Sequence, residues 1–311
     1  MQPGTNKVLY GVLLAVCLVA PAAVYPIFLM KALCFALFAS AFNLLIGFTG
    51  LLSFGHAMFL GTAGYVCAQA AKVWGLPPEL GILAGTAVAA SLGLVFGWLA
   101  IRRQGIYFAM VTLALAQMLY FYALQAPFTH GEDGIQAVPR GHLFGIVNLG
   151  APSGLPMYYF VLAMFLIGFA IIYRAIHSPF GQVLKAIREN EPRAVSLGYK
   201  VEQYKLLAFI LSATLAGLAG AVKALVFQLA SLTDVDWTMS GEVILMTLVG
   251  GLGTIWGPVV GAFVVVTMEN YLAELGSWVT IIQGVVFVLC VLAFRRGIVG
   301  EIAWLLRRRG K

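Results

Sequence analysis

Charge is what this chain has least of: Asp, Glu, Lys and Arg supply 10% of its 311 residues, while 61% are hydrophobic. Soluble domains carry roughly 25% charged residues, so the shortage excludes a water-soluble globule. The alternating polar and apolar register of an outer-membrane barrel is also lacking, because runs such as 161–172 and 280–294 are apolar without that period. Helices are therefore the expected spanning element. Cysteine is scarce, and Cys17, Cys34, Cys67 and Cys290 all fall in apolar stretches without metal-like pairing. That leaves no disulfide framework and no redox argument. The sequence has no Gly-x-x-x-x-Gly-Lys-Ser/Thr phosphate loop, nucleophile elbow, paired-carboxylate site or metal-ligand cluster, and His56, His130, His142 and His177 are scattered. No catalytic residue, metal ligand or resident cofactor is assigned, and the chain is read as a non-enzyme.

What is present is a series of apolar stretches of about 17–25 residues, long enough to cross a hydrocarbon core as helices. They fall at 8–29, 32–48, 51–71, 79–101, 105–125, 156–174, 205–229, 240–272 and 277–294. Ala20-Pro21-Ala22 gives the first some look of a cleavable signal, but everything downstream is equally apolar, so an uncleaved helix is expected. Fifteen of the 19 basic residues gather at Lys7, at Arg102–Arg103, in the 175–204 segment with its borders, and in the tail from Arg295. The positive-inside bias places all of these, and both termini, in the cytoplasm. The net charge of +7 then reflects topology and not nucleic-acid binding.

A chain that leaves the cytoplasm at 205 and returns at 295 crosses an odd number of times. The 240–272 stretch is accordingly predicted to be a broken pair that turns at Gly250-Gly251-Leu252-Gly253-Thr254, with Gly257-Pro258 opening its second member. A second glycine-rich break runs from Gly47 to His56, which suggests a duplication. The predicted fold class is all-α, a polytopic membrane helix bundle of about ten transmembrane or half-membrane helices. It forms a single transmembrane domain over 1–311, with an amphipathic tail at 297–311 suited to the cytoplasmic leaflet.

Residues 178–199 within the 175–204 segment are too polar to span and too patterned for a linker. Val183, Leu184 and Ile187 can share one helical face. Pro192 can open a second short helix carrying Ala194, Val195 and Leu197 before Gly198 stops it. Such a helix exposes apolar residues with few of its own to cover them, and either a partner's groove or anionic lipid could bury them.

Several ordered motifs carry a resemblance. Gly181, Ala186-Ile187-Arg188, Arg193-Ala194 and Leu197-Gly198, followed by Lys205-Leu206-Leu207-Ala208-Phe209 and Ala216-Gly217-Leu218-Ala219-Gly220-Ala221, resemble the branched-chain amino acid permease family of ABC importers, in particular its LivM-type subunit. Gly105-Ile106-Tyr107-Phe108-Ala109 with Val111-Thr112-Leu113-Ala114, Thr129 to Ile135, and Glu242 to Gly261 agree, so the likeness runs from about residue 35 to 295. It implies an import subunit in a bacterial inner membrane, working with a sibling permease subunit, two ATP-binding subunits and a periplasmic substrate-binding protein. ATP and magnesium would sit on the ATP-binding subunits. Gly181, Arg188, Glu189, Asn190, Glu191, Pro192, Arg193, Ala194, Leu197 and Gly198 would then form the segment that seats in the ATPase. Branched-chain amino acids are the expected substrate; urea, short amides and aromatic acids are alternatives within the class. A self-sufficient secondary carrier or channel is the rival from another class, and a non-transport scaffold is a further one.

Polar groups in apolar spans are costly unless paired or functional. Asn43, Ser53, His56, Thr112 and Gln117, with Gly250, Gly251 and Gly253, are the candidate lining of a translocation route. Lys223, Glu242, Glu269 and Asn270 are expected near the outer surface, where they can snorkel. On the outer side, Glu132 and Asp133 in the 126–155 loop and Asp234 and Asp236 in the 230–239 loop are candidates for docking the binding protein.

Overall fold

The computed structural model describes residues 15, 17–21, 24–143, 145, 147–272, 276, 278–293 and 297–301. Its helices are α1 (Pro26–Thr49), α2 (His56–Lys72), α3 (Pro78–Ala100), α4 (Ile106–Gln125), α5 (Leu155–His177), α6 (Pro179–Glu189), α7 (Glu191–Ser196), α8 (Val201–Phe227), α9 (Trp237–Gly250), α10 (Gly257–Leu272) and α11 (Trp278–Ala293). Proline occupies the first turn of α1, α3, α5, α6 and α7, where its missing N–H costs nothing and its fixed φ favours the helix. Among these, α1, α3, α4, α5 and α8 are long and apolar enough to cross a membrane, and α9 and α10 are shorter apolar helices. The chain is a polytopic helical membrane protein.

α1 and α8 form the centre. α1 is buried along nearly its whole length from Leu29 onward, and α8 presents Ala213, Ala216, Gly217, Gly220, Ala221 and Ala224 to its neighbours. A Cβ on Gly220 would collide with the backbone of Leu60 on α2, and one on Gly93 of α3 would press on Ala213. Small residues thus let three helices approach to backbone contact, the usual source of cohesion where lipid removes the hydrophobic drive between helices.

Two boundaries differ from the sequence reading. The break between the first two apolar stretches lies before Pro26 and not near residue 30, because a residue preceding proline is held extended, as Tyr25 is at ψ 123°. Helix α2 starts at His56 and not at 51. Residues 50–55 are non-helical, and Leu51, Ser53 and Gly55 among them are buried. Residues 8–14, 16, 22 and 23 of the predicted first span, and the tail beyond residue 301, lie outside the described residues. The predicted break in 240–272 is present: α9 stops at Gly250, Gly251 and Gly253 take φ of 122° and 72°, and α10 starts at Gly257.

The helix ends sort into two groups. One, the basic end, collects the close of α1, the turn with Arg102 and Arg103, α6 and α7, the 251–256 turn, and Gly297, which returns to touch Gly250 and Gly251. The other collects the 126–154 loop and residues 228–230, after which the chain runs inward past Gly61 of α2 to the start of α9. At this second end β1 (Ile135–Gln136) pairs antiparallel with β4 (Leu229–Ala230), while β2 (His142–Leu143) and β3 (Val147–Asn148) form a small hairpin.

Candidate functional site

Two of the helices do not begin at a bundle end. His56, the first residue of α2, is fully buried, and its Nε2 lies 2.7 Å from Ser212 Oγ, which in turn donates to Ala41 O at 2.5 Å. Ala41 is well inside α1, and Ser212 is well inside α8. α2 therefore starts near mid-depth. α9 starts close by, since Ser240 in its first turn accepts the Ala57 amide at 3.0 Å. Non-helical backbone and helix starts at membrane depth are tolerated only where protein buries them or a cavity is lined. Here the 50–55 segment is held by Thr112 Oγ1, which accepts from Phe54 N at 3.2 Å, and by Ser53 Oγ, which accepts from Gly55 N at 3.2 Å.

His56 sits edge-on to Phe42, Phe59 and Phe209, with ring centroids 5.2, 5.6 and 5.9 Å away. The Ser212 hydroxyl hydrogen is committed to Ala41, so Nε2 is the donor and Nδ1 the bare nitrogen. Asn43 is turned to the other break. Its Nδ2 donates to Thr254 O at 2.8 Å and its Oδ1 accepts from Gly253 N at 3.0 Å. Thr254 Oγ1 accepts the Gly257 amide at 3.0 Å and caps α10. Trp256, in the same turn, packs on Phe169 of α5 at 4.8 Å. Of the predicted lining residues, Asn43, Gly250, Gly251 and Gly253 meet at one place, and Ser53, His56 and Thr112 surround the other break. Gln117 is half-buried further along α4. None of the eight borders the large open groove of about 1300 Å³ between α5 and α10, whose walls include Phe165, Phe169, Trp256, Val260 and Phe263.

The 175–204 segment connects directly to these breaks. Gly181 lets α6 fold against the end of α5, where a Cβ would strike the carbonyls of Ala175 and Ile176. Ile187 of α6, Ala194 of α7 and Val201 of α8 then close a small core of their own. Asn190 caps α7 by accepting the Arg193 amide at 3.1 Å, Pro192 lies in its first turn, and Gly198 ends the segment at φ 86°. Glu191 accepts from Lys205 at 2.6 Å and from Gln104 at 3.0 Å, which ties α7 to α8 and to the Arg102 turn. Glu189 and Arg193 are exposed, as are Val195 and Leu197, at 56% and 68%. Arg188, also exposed, reaches back to the end of α1. Its guanidinium donates to the Gly47 carbonyl in the last turn of α1 and lies beside Gly253, and its Cγ covers Gly50.

At the opposite end Glu132 and Asp133 are exposed, whereas Asp234, which lies deeper beside Gly61 of α2, is ion-paired with Lys223, and Asp236 caps α9 through the Thr238 amide at 2.8 Å. The β1–β4 ladder brings the two acidic loops together. Sequence reasoning missed Ser212, Ser240, Gln104 and the reach of Arg188 to α1. Buried hydroxyls in apolar helices were the available signal for the two serines, but serine is common enough in membrane helices to pass unnoticed. For Arg188 a lone basic residue in a basic loop gave no signal.

Over residues 25–293 the chain matches the family described as branched-chain amino acid transport system / permease component. It is 26% identical over 271 residues to the high-affinity branched-chain amino acid transport system permease protein LivM of Escherichia coli strain K12, covering 80% of this chain and 64% of that protein. The ribose import permease protein RbsC of Bacillus subtilis is 27% identical over 280 residues, with 81% and 82% covered. A probable branched-chain amino acid transport permease protein LivH of Methanocaldococcus jannaschii is 24% identical, with 71% of each chain covered. The chain thus spans a little under two thirds of the length of its LivM relatives. No solved structure matches it.

Proposed function

Because the chain belongs to the branched-chain amino acid transport system permease family, we propose that it is a membrane subunit of a binding-protein-dependent ABC importer that moves branched-chain amino acids into a bacterial cytoplasm. In this reading the basic end and both termini face the cytoplasm, in keeping with the positive-inside bias. A periplasmic binding protein delivers solute to the opposite end, where exposed Glu132 and Asp133 suit docking by charge complementarity. A sibling permease completes the route, and ATP with magnesium is hydrolysed on two partner subunits.

The observation that carries the proposal is the path from α7 to the glycine breaks. Val195 and Leu197 offer an uncovered apolar knob at the basic end, of the kind that seats in a partner's groove. In the last turn of α6, Arg188 grips the end of α1 beside Gly253. Motion imposed on α6 and α7 by an ATPase therefore reaches both breaks through Arg188, and the breaks are where helices can pivot without losing their own hydrogen bonds. The match to RbsC across 82% of that protein favours a second reading, in which the substrate is a pentose.

Reconstitution with the partner subunits, binding protein and ATP tests both. Leucine uptake that requires ATP supports the amino-acid reading, ribose uptake supports the second, and gradient-driven uptake by this chain alone would refute the importer assignment. Leu197→Asp is expected to lower ATP-driven uptake by roughly tenfold or more, since a buried anchor at an interface is lost, while the chain still inserts; unchanged ATPase stimulation would contradict the role given to α7.

A further inference from the structure

Arg188 is not the only fastening between the 175–204 segment and the bundle. Glu191, the first residue of α7, belongs by resemblance to the stretch that seats in an ATPase, yet its carboxylate turns the other way. One oxygen, Oε1, accepts from Lys205 Nζ of α8 at 2.6 Å and from Gln104 Nε2, in the turn before α4, at 3.0 Å. The two members of the ion pair are unequally covered: the Lys205 side chain is 4% exposed and that of Glu191 27%. Among the described residues Glu191 is the only acid paired with Lys205. A buried ammonium that lost this partner would be strongly unfavourable, so the link between α7 and α8 is far firmer than an ion pair on an open surface.

Lys205 heads a buried line. Lys205, Phe209 and Ser212 follow one another at helical spacing on one face of α8, and all three are buried. Ser212 Oγ lies 2.7 Å from His56 Nε2, and the Phe209 ring stands edge-on to the His56 ring with centroids 5.9 Å apart. His56 opens α2 at the edge of the first break. The second donor to Glu191 leads to the same place. Gln104 lies just ahead of α4, and Phe108 in the first turn of that helix meets Phe209 edge-on at 6.1 Å. Close-packed side chains pass a displacement on instead of absorbing it, so both partners of Glu191 are in mechanical contact with the ring that touches His56.

We propose that Glu191 is a positioning residue of the import cycle: it clamps α7 to Lys205 and Gln104, so that movement of α7 passes along the Lys205, Phe209 and Ser212 face of α8 to His56 and shifts the start of α2. This rests on the importer reading above and adds to it a route to the first break that bypasses Arg188. Val195 and Leu197, both exposed, remain the residues that meet the ATPase. Glu191 stands behind them and transmits what they receive.

The test compares stability with coupling in the assembled transporter, using melting in detergent and, in proteoliposomes with binding protein and ATP, the labelled leucine or ribose taken up per ATP hydrolysed. Glu191→Gln alone leaves the buried ammonium without its counter-charge and is expected to lower the melting temperature. Adding Lys205→Met removes that charge and fills its space with an apolar chain, so stability should return close to the wild-type value. Coupling should not return: uptake per ATP in the double variant is expected to stay about tenfold below wild type, with the ATPase subunits co-purifying in wild-type amount. A double variant that regains both stability and the wild-type ratio makes the pair structural only and overturns the proposal. Loss of the ATPase subunits from the double variant also overturns it, because Glu191 would then belong to the ATPase interface. Should the double variant fail to fold, Gln104→Ala decides. It deletes one exposed hydrogen bond and is expected to lower the ratio roughly twofold; an unchanged ratio overturns the proposal. Uptake by the wild-type chain without ATPase subunits would instead refute the importer reading, and this proposal with it.

Discussion

The two glycine-rich breaks, residues 50–55 and 251–256, lie close together, Gly253 resting on Gly47 in the last turn of α1, yet they are held in different ways. The second depends on backbone packing. A Cβ on Gly250 would run into Gly257 and the amide of Gly261, and one on Gly261 would run into the Met246 carbonyl, so α9 and α10 meet main chain to main chain. The first has one such contact, Gly55 against the Thr112 carbonyl, and is otherwise held by the hydroxyls of Thr112 and Ser53, while its Gly50 serves a left-handed turn at φ 76° with only Arg188 above it. Close backbone contact makes a rigid elbow that tolerates no added atom, whereas a segment fastened by hydroxyls can be released one bond at a time. The contrast assigns rigidity to the second break and adjustability to the first.

The severest challenge to that contrast is Gly261→Val. With the Met246 carbonyl in its way, the β-branched side chain would force α9 and α10 apart at an expected cost on the order of 4 kcal/mol or more. The measurement is the yield of folded protein in detergent together with its melting temperature. A variant that accumulates and melts like wild type would show that the helices are not in backbone contact.

Asn43→Ala comes next. It removes the side chain that satisfies both Gly253 N and Thr254 O, and leaving two buried backbone groups unpaired should cost about 2–4 kcal/mol. Asn43→Asp keeps the acceptor for Gly253 but turns a carboxylate oxygen toward the Thr254 carbonyl in a buried site, so it should melt no higher than Ala. An Asp variant that melts like wild type would show that the link to Thr254 contributes nothing.

Thr112→Val tests the first break. The replacement is nearly isosteric and deletes the acceptor for Phe54 N, so the loss should be about 1 kcal/mol. Hydrogen exchange in residues 50–55 should accelerate while exchange in 251–256 stays unchanged. If both breaks loosen together, they behave as one unit and the division of labour fails.

Much of this arrangement could be read in the sequence because it rests on local signals. Apolar length placed the spans, Gly250 to Gly257 placed the second break, and the pattern of Pro192, Ala194 and Gly198 placed α7. The tertiary pairings could not be read. Asn43 to Thr254, Lys31 to Glu269 and the ladder of β1 with β4 join residues far apart in the chain, and no periodicity records such a partner. The same limit hid the partner of Glu269, expected to snorkel, which is ion-paired with Lys31.

The smallest effect is expected at Gly50. Its φ of 76° is the left-handed region that asparagine also enters, and a Cβ there would press on Arg188 Cγ at 3.3 Å, the middle of a flexible side chain. Gly50→Asn should therefore cost no more than about 1 kcal/mol in stability, far below Gly261→Val although both alter a glycine in or beside a break. Its transport effect can still be the larger of its two readouts, because the displaced guanidinium is the one that grips Gly47. A small shift in melting temperature with a clear loss of ATP-coupled uptake would locate the function of the first break in its contact with Arg188. A loss of stability as large as that of Gly261→Val would show that this turn, too, is held by backbone packing.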